Sequence, residues 1–118
     1  MQTVFIKQGD QQHQITLHTR TEDFDPAYRA HLGELRAIAE DARLAADTYD
    51  VATTFAAERE ATSYVESNGI LSTAAEEMDG RMACQFLGHV GSVMAIIQDY
   101  QRSALSRSPY VVRQVGNA

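Results

Sequence analysis

Apolar and polar positions follow two periods along this chain. Near the start they alternate: Thr3 to Ile6 is a short apolar run, Gln8-Gly9-Asp10 carries turn chemistry, and Ile15 and Leu17 share one face of the stretch His13 to Thr19. An apolar run and an alternating stretch on the two sides of a Gly-Asp turn predict a β-hairpin. From Asp25 onward the period becomes helical. Asp25-Pro26 sets a capping side chain before a proline at the first helical position, a combination that opens helices. Residues 27 to 66 then contain no proline, one glycine (Gly33) and 11 alanines, a composition that favours continuous helix. Tyr28, Leu32, Leu35, Ala39, Ala42, Ala46 and Tyr49 keep a 4,3 spacing, while Val51, Phe55 and Val65 fall on a rotated face. With no strong breaker present, the expectation is one long helix or two nearly collinear ones, bending near Asp47 to Asp50.

The next interruption is Asn68-Gly69, two residue types that tolerate the left-handed conformation ending a helix, with Thr73 and Glu76 at the spacing of a capping box. A second helix is expected from about Thr73 to Leu105, on the stripe Ala75, Met78, Met82, Phe86, Val90, Val93, Ile97, Tyr100 and Ala104. Its other face collects the small residues Gly80, Cys84, Gly88, Gly91, Ser92 and Ala95. Because a mid-helix glycine costs roughly 1 kcal/mol relative to alanine, that face predicts close approach by another backbone, with the alanines of the first helix as the natural neighbour. After Pro109, the segment Tyr110 to Val115 has strand propensity and is a candidate third strand. The fold class expected is α+β, an N-terminal β-hairpin packed on a long antiparallel helical hairpin, in a single domain over residues 1–118.

Composition narrows the class without naming a chemistry. A chain of 118 residues supports one core. Cys84 is the only cysteine, which excludes an internal disulfide framework, and it is expected to be a small buried residue. Met1 to Lys7 lacks the features of a signal peptide, and no apolar run approaches the ~20 residues that cross a bilayer. A cytoplasmic protein with no membrane contact is the expectation. Net charge is −6, and every acidic residue except Asp10 and Asp99 lies between Glu22 and Asp79, against four arginines there. Lys7, Arg20, Arg81, Arg102, Arg107 and Arg113 make the flanks basic. Nucleic-acid binding through the helical centre is therefore disfavoured, since phosphates need a basic face. DNA binding through the basic ends is a minor third class.

The constellations that could carry chemistry are incomplete. His31 and Glu34 stand three apart and His89 lies on the second helix, but the chain has no Glu-x-x-His to complete a helical metal site, so no metal or cofactor is expected. Glu76, Glu77 and Asp79 have the look of half an acidic magnesium motif, without the other half, and acids in a first helical turn are explained by the macrodipole. Gly88-His89-Val90-Gly91-Ser92 sits inside a regular apolar stripe, where a phosphate cradle needs a strand-to-helix turn. Glu40 and Asp47, four residues after Arg36 and Arg43, predict a face laced by i, i+4 pairs.

What remains is an acidic surface. The leading expectation is a non-enzymatic protein-binding domain, an acidic inhibitor or adaptor, meeting a basic protein partner through Glu40, Asp41, Asp47, Asp50 and Glu58. A phage-encoded anti-CRISPR inhibitor is one instance that size and charge allow. Apolar residues on more than one helix face further predict a homodimer. The alternative is a small-molecule or nucleotide binder or enzyme, with a pocket between sheet and helices near His31, Arg36 or His89.

Overall fold

The computed structural model describes residues 2–8 and 10–107, with side chains described outside 6–8. Strand β1 (Gln2–Gln8) pairs antiparallel with β2 (Gln11–Leu17), Gln2 opposite Leu17 and Val4 opposite Ile15. Period-two alternation turns Val4 and Leu17 onto one face, and both are buried. A 3₁₀ turn at Thr21–Asp23 delivers Phe24 into the core and leads to α1 (Pro26–Asp47), which starts at the Asp25-Pro26 signal.

Residues 27 to 66 are not one helix. Helix α1 ends at Asp47, the chain reverses over Thr48 to Asp50, and α2 (Val51–Ser67) packs back along α1. The reversal is a Schellman-type ending: the Asp50 N–H donates to the Ala45 carbonyl at 2.9 Å and the Tyr49 N–H to the Ala46 carbonyl at 3.1 Å. Tyr49 takes the left-handed position, φ 60°, which glycine or asparagine usually fills. Asp50 restarts the chain by accepting the Thr53 N–H at 3.1 Å as the N-cap of α2.

The break at Asn68-Gly69 exists, with Gly69 at φ 56°, but it leads into the short helix α3 (Ile70–Glu77), so Thr73 lies inside a helix rather than at its cap. Helix α4 (Gly80–Arg107) starts anew after Asp79, whose carboxylate accepts the Met82 N–H at 2.9 Å. Tyr28 meets Phe86 at 5.1 Å between ring centroids near one end, and the Arg107 guanidinium lies 5.2 Å over the Tyr49 ring at the other. Helices α1 and α4 therefore run parallel, and α2 returns antiparallel against both. The α+β class stands, with a hairpin on a helical bundle.

Leu32, Leu35, Ile70, Phe86 and Ile97 are fully enclosed at the centre. The close approach on α4 is to the sheet rather than to α1: a Cβ on Gly88 would overlap Leu17 Cδ2 and come 3.4 Å from Ile15 Cγ2. Cys84, expected to be buried, is exposed. The candidate third strand, Tyr110 to Val115, lies outside the described residues. No helix among them is long and apolar enough to cross a membrane.

Candidate functional site

The reversal at Thr48 to Asp50 lays α1 and α2 side by side and opens a groove of about 430 Å³ between them. Asp41, Leu44, Ala45 and Thr48 line it from α1, and Thr53, Ala56, Ala57 and Glu60 from α2, with Asp50 at the turn. Those spacings of three and four put each set on one helix face. Alanines at 45 and 57 are buried where the helices touch, so the floor is shallow and apolar. Leu44 stands on the rim, 52% exposed, where the chain could have placed a polar residue at no packing cost.

The rim is acidic and unneutralised. Among the described residues no arginine, lysine or histidine lies within ion-pair distance of Asp41, Asp50 or Glu60. Asp50 accepts the Thr53 hydroxyl at 2.6 Å in addition to the Thr53 N–H. Those bonds, the hydroxyl's first, hold its carboxyl below the usual range and keep it charged.

The five acids expected to meet a partner divide. Asp41 and Asp50 line the groove. Glu40 and Asp47 are taken by Arg43, which reaches Glu40 Oε1 at 2.5 Å and Asp47 Oδ2 at 3.2 Å. The Arg43 hydrogen bond lowers the Glu40 pKa. Of the two expected i, i+4 pairs only Arg43 with Asp47 forms, because Arg43 also reaches back three residues to Glu40. Glu58, half-buried on α2, does not line the groove. Glu60 was missed; the run Thr53, Ala56, Ala57, Glu60 marks its face once α2 is treated as a helix of its own.

His31, Arg36 and His89 line neither this groove nor the hollows beside Phe5 and beside Phe24. His31 Nδ1 is 2.8 Å from the Tyr64 hydroxyl, at the seam of α1 and α2. His89 lies where β2 leaves the sheet, its Nε2 3.0 Å from Thr19 Oγ1 and 3.1 Å from the Thr19 carbonyl oxygen. Burial pushes its pKa down, and the charge of Arg36 adds to that. Beside it, the buried Gln85 accepts the His18 N–H at 2.8 Å and the Thr19 N–H at 3.2 Å, and donates to the Thr16 carbonyl at 3.0 Å. This clasp satisfies the backbone where the strand ends, and nothing in the sequence pattern marked Gln85 for it.

The acids near the start of α4 have structural duties. Glu77 accepts the buried Tyr28 hydroxyl at 2.7 Å, which with burial pushes the phenol pKa up to about 12. Asp79 caps α4. Among the described residues no three His, Cys, Asp or Glu side chains are placed to hold a metal. Comparison with known proteins finds no matching family model, no matching curated protein and no matching solved structure.

Proposed function

We propose that this protein is a non-enzymatic binding domain that presents the α1–α2 groove to a basic segment of a protein partner, as an inhibitor or adaptor. The observation that carries the reading is the exposed Leu44 in one groove with Asp41, Asp50 and Glu60, none of them paired with a cation among the described residues. Carboxylates around an apolar floor steer a cationic surface and suppress acidic ones. Leu44 and the alanines then supply apolar burial, at about 25 cal/mol per Å². Nucleic-acid-processing machines, whose grooves are basic because they hold phosphates, are one partner class of this chemistry, and an anti-CRISPR role is an instance of it. The small-ligand alternative needs a cavity near His31, Arg36 or His89, and the hollows described above are lined by none of the three.

The test is affinity capture from a native bacterial lysate followed by titration of the recovered partner. A stoichiometric protein is expected, bound more weakly at high salt and at least about tenfold more weakly by Asp41→Asn/Glu60→Gln. Glu40→Gln, whose carboxylate already faces Arg43, should bind as the wild type. A partner held equally well by all three proteins would sink the reading.

A further inference from the structure

A second surface, on the sheet side of α4, has the opposite character. Phe5 on β1 is 58% exposed and Ile96 on α4 is 41% exposed. Phe5 stands between two hollows, one of about 530 Å³ reaching Arg102 and one of about 280 Å³ reaching Ile96, and both are floored by Gly91 and Ala95. The small residues at 91 and 95 make the depressions, and Phe5 is the wall they share. Among the described residues no acidic side chain lines either hollow, and Arg102, which lines the larger one, is paired with Asp99.

We propose that this surface binds a second copy of the same chain across a two-fold axis, Phe5 of each copy seating in the hollow beside Phe5 of the other. A two-fold contact demands that one patch be complementary to itself, and a patch carrying both a knob and matching depressions meets that demand. Charge selects the occupant. Two copies with net charge −6 repel through residues 22 to 79, where nearly all the acids lie, and meet at least cost through hollows that no acid lines among the described residues and beside which Asp99 is neutralised by Arg102. A basic partner is drawn instead to the acidic groove, and the arginine that lines the larger hollow is already paired with Asp99. The contact would also cover β1, an edge strand of the sheet among the described residues. The inference does not depend on the groove between α1 and α2, which lies on other helices.

The experiment is sedimentation velocity on the full chain across a concentration series, for the wild type, Phe5→Asp, Ile96→Asp and Leu44→Asp, with circular dichroism confirming helix content. The wild type should sediment as a dimer that dissociates on dilution. Phe5→Asp and Ile96→Asp should each weaken it by at least about tenfold, since each places two like charges in the contact. Leu44→Asp should leave it intact while impairing capture of the basic partner. Ile96 lies on the outside of a helix, so its variant decides the matter if the Phe5 variant alters the hairpin. A wild type that stays monomeric throughout overturns the proposal, as does a dimer unmoved by either substitution or one lost only in Leu44→Asp.

Discussion

At Gly88 a single methyl group meets the side chain of Leu17, itself buried between sheet and helix. Overpacking of this kind costs about 1–3 kcal/mol, against the roughly 1 kcal/mol that helix propensity returns when a mid-helix glycine is replaced. Gly88→Val, whose β-branched side chain recovers only part of that propensity, should therefore lower stability by about 1–2 kcal/mol in urea denaturation. Gly33, with nothing within 4 Å of a Cβ on an exposed helix face, is the control; Gly33→Ala should raise stability by about 0.5–1 kcal/mol. Loss of stability at both positions would refute this account of the packing. His89 gives a pH dependence of known sign. Its folded pKa lies below the ordinary value, from burial first and then Arg36, opposed by the Thr19 carbonyl and Asp23. The unfolded chain thus takes up the proton first, so the contribution is fully present above about pH 6.5 and fades as pH falls below it through the folded value. His89→Gln should flatten the stability profile between about pH 7 and 5. An unchanged slope would place the titration elsewhere.

Among the elements, the joint between α1 and α2 decides the arrangement, and it was the least legible. The chain carries neither glycine nor proline there. Tyr49 occupies the left-handed position, at a cost of about 1–2 kcal/mol for a residue with a Cβ. The guanidinium of Arg107 over its ring offsets about half of that, at ~0.5–1 kcal/mol for an exposed pair. Tyr49→Gly should consequently raise the melting temperature, with a gain of about 0.5–1 kcal/mol. A fall would mean that the aromatic contact with α4 outweighs the backbone strain. The signal that was present, Asp50 three residues before Thr53, is an ordinary N-cap spacing, and eleven alanines masked it by favouring helix on both sides. By contrast the Asp25-Pro26 start, the hairpin and the break at Gly69 were legible because each rests on residues with distinctive backbone chemistry.

For the whole molecule, one cluster of buried side chains joins the four helices and Phe24, and the sheet packs against α4 where Leu17 meets Gly88. Phe86 touches Phe24 at 5.5 Å and Tyr28 at 5.1 Å between ring centroids, both edge-on, and is fully buried. Truncation to alanine removes contacts to α1 and to the segment before it at once. Phe86→Ala should cost about 3–5 kcal/mol, a large part of the ~5–15 kcal/mol that holds a domain of this size folded. The loss should be cooperative, with sheet and helix signals falling together, and an unfolding in two separated steps would contradict a single core. The molecule is long, 52 Å by 27 Å by 26 Å, because α4 alone runs 28 residues, about 42 Å at 1.5 Å per residue. Two surfaces of different character lie on different elements of it, the acidic groove on α1 and α2 and the hollows beside Phe5 on β1 and α4.

The amino-acid sequence by itself determined the class of the fold, the hairpin, the helical character of the rest and the concentration of acid in its middle, because period, capping chemistry and charge are local properties. The tertiary structure decided which acids share a surface. Asp41, Asp50 and Glu60 come together only because the chain reverses at Tyr49, while Glu40 and Asp47, as acidic in sequence as the others, turn toward Arg43. It also decided that Gly88 answers to Leu17 of the sheet rather than to an alanine of α1. Both outcomes depend on which helix face meets which neighbour, and composition fixes that a face is small or charged without fixing what it meets.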